Sequence, residues 1–245
     1  MLKSTTEVIV MCGGMGRRMG RLATKHECKS LIPIEGYVAL KYVLWVLKVF
    51  EFRKIFLCVD RDELVSKIEA VAHVVGLKSF EIFRDKGLGT MNALYELQGA
   101  VSAGRILVLF GHHLISASHV SKILSSRKGS SNIVVSLYKT SSDDLRKITA
   151  LNENLKCKYL EHGTGKSRLK SDEYYADVPY LVSRQFVNRQ ASIPVRSFDA
   201  IKAWLNAGNK IIGIESDSPH EFHEPRDLTR IKAFAQKLLT EFEGR

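Results

Sequence analysis

Residues Glu7–Gly36, EVIVMCGGMGRRMGRLATKHECKSLIPIEG, decide how the chain is read. Val8–Cys12 is an unbroken apolar run of strand length, cut off by Gly13-Gly14. A continuous run, as opposed to an alternating one, marks a strand buried on both faces. The loop that follows holds Gly13, Gly14 and Gly16, with Arg17 and Arg18 beside them. Glycines admit positive φ and let successive N–H groups converge on an anion. Adjacent guanidinium forks match phosphate oxygens. The spacing is neither that of a P-loop, GxxxxGK[ST], nor the dinucleotide fingerprint GxGxxG. Taken alone, such a turn serves equally well as a tight strand-to-helix connection with solvated arginines.

Working outward, strands and helices alternate. Val38–Phe50 carries Leu40, Val43, Leu44 and Leu47 at helical spacing, and Asp62–Val75 does the same with Leu64, Ile68, Val71 and Val75. Strands are expected at Lys54–Val59, Lys78–Phe83, Arg105–Phe110 and Asn132–Tyr138, and helices at Thr90–Val101 and Ser118–Ser126. That alternation predicts a mostly parallel sheet covered on both faces. Ligands of such sheets bind outside the carboxyl ends of the strands, where strand order switches. The ends to watch are Cys12-Gly13 and Phe110-Gly111-His112. Beyond Ser141 the pattern changes to a hairpin (Ile148–Asn152 with Lys156–Leu160), a polar Lys/Gly/Ser segment at Glu161–Ser171 and a strand at Tyr174–Val182. A helix at Ser197–Asn206, a strand at Lys210–Glu215 and a final helix after Pro225 follow. One domain over residues 1–245 is expected: a nucleotide-binding half, 1–140, and an elaboration with the C-terminal helix, 141–245.

Composition narrows the classes. At 245 residues, 45% hydrophobic and 26% charged, the chain buries a full core and is not a disordered polymer. No membrane span and no signal peptide are read in it, so a cytoplasmic protein is expected. The four cysteines include no CxxC pair and read as reduced packing residues. The formal charge of +11 suits either nucleic acid or small polyanions. No aromatic-interleaved basic stripe, zinc finger or RNP signature appears, so small phosphorylated substrates are preferred over nucleic acid.

The continuation of the opening stretch is specific. Gly13, Gly14, Gly16 and Arg18, then Lys29, Leu31, Pro33, Ile34, Gly36, Leu40 and Tyr42, resemble the GGxGxRL and PKxLxPIxGxPLIxY pattern of sugar-1-phosphate nucleotidyltransferases. Gly87–Leu94 (GLGTMNAL) resembles that family's segment against base and ribose, most like the guanylyltransferase branch. Ile106–Gly111 resembles the strand before its metal-binding aspartate, Ala176–Ser183 its sugar-binding strand, and Glu221–Leu228 (EFHEPRDL) its terminal DVDTPEDL. The matches run in order along nearly the whole chain. The resemblance implies a three-layer Rossmann-like (GT-A-like) α/β fold with a mixed, mostly parallel sheet. It also implies transfer of a nucleotidyl group from a nucleoside triphosphate to a sugar 1-phosphate or related phosphorylated alcohol. Pyrophosphate would leave, in nucleotide-sugar biosynthesis, and a homo-oligomer is compatible with it. Arg18 and Lys29 would be catalytic. Cys12, Gly13, Gly14, Gly16, Arg17, Gly89, Thr90, Asn92 and Gly111 would hold the nucleotide, and Lys166, Asp177 and Tyr180 the sugar phosphate.

The chain departs from the family where a divalent metal, Mg or Mn, would bind. Both aspartate slots are histidines, His112 and His223, with His113 or Glu221 as candidate helpers. Imidazole suits Zn, Mn or Co better than Mg. Three readings stand side by side: a His-ligated transition metal, metal-free catalysis with Lys29 and protonated histidines, and a nucleotide-binding regulatory protein without activity. Val178 also replaces the glycine of the sugar-facing strand.

Overall fold

The computed structural model describes residues 6–126, 133–138, 146–151, 156–162, 173–189, 197–218, 222 and 225–243. In chain order the elements are β1 (Thr6–Met11), α1 (Arg21–His26), β2 (Pro33–Ile34), β3 (Tyr37–Val38), α2 (Ala39–Lys48), β4 (Ile55–Val59), α3 (Val65–Val75), β5 (Phe80–Arg84), α4 (Thr90–Glu96) and β6 (Arg105–Phe110). After them come α5 (Ala117–Ser125), β7 (Ile133–Tyr138), β8 (Arg146–Leu151), β9 (Lys156–His162), β10 (Glu173–Ser183), α6 (Arg184–Asn188), α7 (Ser197–Asn206), β11 (Ile211–Glu215) and α8 (Leu228–Glu243).

Nine strands form one mixed sheet in the order β5-β4-β1-β6-β10-β7-β11-β9-β8. β4 and β6 both pair parallel with β1, and β5 extends the parallel set. β10 lies antiparallel between β6 and β7, and β7 pairs parallel with β11. The expected hairpin is present as the antiparallel pair β8–β9. Chain order reverses between β4 and β6 about β1, so the switch point lies where β1 and β6 end side by side. There the Gly111 N–H donates to the Met11 carbonyl at 2.8 Å.

The unbroken apolar runs are explained by packing on both faces. In β1, Val8 and Val10 point to a core shared with α2, α3 and α5, while Ile9 points to a second core with α4, α6 and α7. β6 divides the same way, Leu107 and Leu109 to one side, Ile106 and Val108 to the other. A third cluster joins Tyr42, Ile34 and Met19 to Phe222 and to Phe234 and Leu238 of α8. The Tyr42 hydroxyl donates to the Ile34 carbonyl at 2.8 Å, which fixes the β2–β3 hairpin on α2.

One helix is shorter than its periodicity predicts. α4 ends at Glu96, although the apolar spacing continues through Leu97 and Val101. The segment beyond it is held by Glu7 of β1, whose carboxylate accepts from Ser102 N at 2.9 Å, Ala103 N at 3.1 Å and Ser102 Oγ at 2.8 Å. Burial pushes the Glu7 carboxyl up, but the hydrogen bonds from Ala103 and Ser102 outweigh it and hold it below its usual value. Among the described residues no helix is long and apolar enough to cross a membrane.

Candidate functional site

At the switch point a cleft of about 230 Å³ opens outside the carboxyl ends of the parallel strands. Its floor is Met11 of β1, Cys58 of β4 and Phe110 of β6, with Ala93 of α4. One wall is Gly13 and Gly14. The facing wall is Gly87, Gly89 and Thr90, and His112 closes the end. Two carboxylates, Asp60 and Asp85, also line it.

Asp60 explains the glycines. Its Oδ2 accepts from Gly14 N at 3.0 Å, and a Cβ on Gly13 would stand 2.7 Å from its Cγ. Real Cβ atoms do not approach that closely, so Gly13 is required because the Asp60 side chain crosses it. Gly14 sits at φ 96° and Gly16 at φ 55°, conformations that suit glycine. On the far side, a Cβ on Gly87 would touch the Asp60 Cβ at 3.4 Å, so this aspartate stands between the two glycine loops. Arg61 meets its other oxygen at 3.3 Å.

Asp85 shapes the second wall. Its N–H extends the β4–β5 pairing to the Val59 carbonyl at 2.9 Å, and its Oδ1 accepts from Gly87 N at 2.6 Å. Gly87 at φ 69° and Gly89 at φ 103° turn the chain into α4. Glu96 of α4 braces the same loop, accepting from Lys86 N at 3.2 Å and from the Asn92 side-chain amide at 2.9 Å. Burial first, and then the neighbouring charges of Asp60 and Glu96, push the Asp85 carboxyl up.

The expected site residues divide into groups. Gly13, Gly14, Gly89, Thr90 and His112 come together in the cleft. Gly16 takes part in the loop's turn, its carbonyl accepting from Met19 N at 2.7 Å. Arg17 and Arg18 lie on a short 3-10 turn, Arg17–Met19, and Arg18 is exposed. Cys12 is wholly buried beneath the loop, its thiol directed to the Val10 carbonyl at 3.5 Å and pushed well up by burial, so its side chain belongs to the core. Asn92 is buried and turned to Glu96. Gly111 faces inward: a Cβ there would meet Ser30 Oγ at 2.8 Å and Leu40 Cδ1 at 3.1 Å, so its smallness seats the Lys29–Leu31 turn against β6. Asp177 and Tyr180 are buried and meet each other at 3.2 Å, where β10 slips register against β7; neither is among the residues lining this cleft. Lys166, Glu221 and His223 lie outside the described residues.

At the histidine end the surroundings are aromatic. The His112 ring stacks on Phe110 with centroids 5.5 Å apart and an interplanar angle of 11°, and meets the edge of Phe222 at 5.7 Å. Lys29, nearly buried, holds its ammonium 5.3 Å from the centroid of that same Phe222 ring. Phe222 thus stands between the lysine and His112, and Lys29 itself is not among the residues that line the cleft. His113 is fully buried, its Nε2 3.1 Å from the Tyr138 hydroxyl, which donates to the Val178 carbonyl at 2.6 Å. Among the described residues no three or more His, Cys, Asp and Glu side chains group as metal ligands. At the His112 end the described groups are one imidazole and two phenyl rings, which offer a hard ion such as Mg no oxygen donor; the carboxylates of the cleft, Asp60 and Asp85, stand at the glycine loops.

Sequence reasoning missed Asp60 and Asp85. Each follows the last residue of a strand, Val59 and Arg84, and strand ends at a switch point were the available signal.

Known proteins resemble the chain in family and in fold. The family description that matches is the MobA-like NTP transferase domain, over residues 8–207. No curated protein sequence matches the chain. Among solved structures, the inositol-1-phosphate CTP transferase from T. maritima superposes with a TM-score of 0.77 at 16% identity, covering 95% of this chain and 96% of that one. A CMP:2-keto-3-deoxy-manno-octonic acid synthetase complexed with CTP gives 0.70 at 16% identity, covering 96% and 99%. HddC from Yersinia pseudotuberculosis gives 0.68 at 14% identity, covering 93% and 99%. At such identities these likenesses speak to the fold.

Proposed function

The chain belongs to the MobA-like NTP transferase domain family, and from that premise we propose that it transfers a nucleotidyl group from a nucleoside triphosphate to a sugar 1-phosphate or related phosphorylated alcohol. The observation that carries the reading is the cleft itself: two glycine-shaped loops face each other at the switch between β1 and β6, with Lys29 reached through Phe222. The triphosphate lies along the Gly13–Gly16 loop and the nucleoside against Gly87–Thr90. An acceptor phosphate oxygen attacks the α-phosphorus, the new P–O bond forms, and the bond to the bridging oxygen breaks. That oxygen leaves on pyrophosphate with the electron pair. Lys29 neutralises charge that grows on the α-phosphoryl oxygens, and Arg18 reaches the phosphates from the loop. No step is routed through a metal: among the described residues no three or more His, Cys, Asp and Glu side chains group as ligands, and His223 lies outside them.

A second reading has its own observation. His112, enclosed by Phe110 and Phe222 in the slot where relatives by resemblance carry an aspartate, suits a protein that binds the nucleotide and does not turn it over.

Pyrophosphate release separates the two. The protein is incubated with each of the common nucleoside triphosphates and a panel of sugar phosphates, with Mg, Mn and Zn supplied in turn. Turnover is expected, and Lys29→Met should lower kcat by about 10²–10³ while nucleotide binding persists. Nucleotide binding with no pyrophosphate under any condition establishes the binding protein. Absence of both binding and turnover removes both readings.

A further inference from the structure

The cleft faces its ligand with carboxylates. Asp60 and Asp85 line it, and no lysine or arginine is among the described residues that do. The cations nearby are engaged elsewhere: the Arg84 guanidinium bonds Asp62 at 2.8 Å and the Asp85 carbonyl, and Lys86 pairs with Glu96 at 3.5 Å. Arg61 pairs with Asp60 and donates to the Glu27 carbonyl at 2.7 Å. A triphosphate gains nothing from such a wall, so the wall serves another part of the nucleotide.

Of the two, Asp60 stands between the glycine loops and is tied to Gly14. Asp85 opens the Gly87–Thr90 loop, against which the nucleoside is placed. An ionised carboxylate is acceptor-only, with about four lone-pair sites. The Gly87 N–H uses one at 2.6 Å. What remains meets N–H donors well and carbonyl oxygens badly. Guanine offers adjacent N1–H and N2–H donors that fit a carboxylate fork, and cytosine and adenine each offer one amino group. Uracil and thymine flank their single N–H with two carbonyl oxygens, which a carboxylate repels. Each loop also carries an apolar side chain, Met15 on one and Leu88 on the other, both substantially exposed.

We infer that Asp85, supported by Asp60, is the base-reading residue of this site and selects amino-bearing nucleobases against uracil and thymine. This rests on the proposal that the cleft takes a nucleoside triphosphate. It goes beyond it by naming the class of base and the side chain that chooses. Discrimination of this kind is strong because admitting the wrong base leaves a buried polar group unmatched.

Affinities of the full chain for GTP, CTP, ATP, ITP and UTP are measured by calorimetric titration, with Mg supplied throughout. The tightest of GTP, CTP and ATP is expected to bind at least about tenfold tighter than UTP. ITP, which carries no amino group, is expected to bind more weakly than that nucleotide. Asp85→Asn, which keeps the shape but presents a donor, should narrow the ratio of that nucleotide to UTP to less than about threefold. UTP binding as tightly as the best of the three overturns the inference and leaves the transferase reading standing. So does a preference over UTP that survives in folded Asp85→Asn. If that variant does not fold, the five-nucleotide series on the unaltered chain decides. If no nucleotide binds at all, the functional proposal itself fails, and this inference with it.

Discussion

Gly13 and Asp60 are 47 residues apart in sequence, yet the glycine has no room for a methyl group because the Asp60 carboxyl would stand 2.7 Å from it. Gly13→Ala is therefore expected to cost stability and to weaken nucleotide binding by about tenfold or more, since the loop must shift by a few tenths of an ångström. Asp60→Ala removes the obstacle but also the acceptor for Gly14 N–H. The two changes should be non-additive, with a coupling of about 0.5–3 kcal/mol. Urea denaturation of the four proteins in the cycle measures it, and additivity would show that the close approach does not fix the residue. At this scale, legibility depended on motif. Gly13, Gly14, Thr90 and His112, which the structure brings to one cleft, were picked out because a loop pattern or a slot in a pattern named them. Asp60 was not, because an aspartate in CVDRDE reads as a solvated turn until the strand order brings it against the glycines. Asp177 and Tyr180 were readable as a pair on one strand, but not their burial, nor the register slip of β10 between them.

Among the elements, α5 carries a histidine that ties it to two strands of the sheet. His119 is fully buried, its Nε2 is 2.8 Å from Ser136 Oγ of β7, and that hydroxyl donates to the Pro179 carbonyl of β10 at 3.0 Å. Because the hydroxyl proton goes to the carbonyl, the imidazole Nε2–H donates to the oxygen, and the ring is neutral. Burial pushes its pKa down to about 4; Asp217 pulls the other way and Lys122 adds to the fall. In the unfolded chain a histidine titrates near 6.5. Between those values the unfolded state binds the proton and the folded state does not, so stability is lost as pH falls through that window. The loss is expected to be about 2 kcal/mol between pH 7.5 and pH 5. Denaturation midpoints across that range check it, and His119→Gln should flatten the dependence. An unchanged pH slope in the folded variant would assign the acid sensitivity elsewhere. Most elements were legible, because their runs match the period of their structure: β6 and α7 have the bounds the sequence predicts, and the β8–β9 hairpin pairs as expected. The exceptions are decided by tertiary contacts. α4 stops where Glu7 captures Ser102 and Ala103, and α6 needs the Ser183 cap, which accepts from Phe186 N at 3.2 Å. No periodicity announces either.

For the molecule as a whole, the charge of +11 and the acidic cleft pull on a nucleotide in different ways. The described cleft lining contains Asp60 and Asp85 and no basic side chain, so the excess of lysine and arginine acts there largely as a field over distance. Such a field concentrates polyanions near the opening in proportion to their charge, while on the proposed reading the glycine loops and Lys29 supply contact at short range. Salt distinguishes the two contributions. The Debye length falls from about 10 Å at 0.1 M to about 3 Å at 1 M, which removes the field and leaves close contacts largely intact. Affinity for a nucleoside triphosphate should therefore drop steeply over that range, and affinity for the matching nucleoside monophosphate only slightly. Titrations of both ligands at four or five salt concentrations give the two slopes. A clearly steeper triphosphate slope is the expected result. Equal slopes would mean that the basic surface does not act on the cleft at all, and that the net charge of this chain serves some contact outside the nucleotide site.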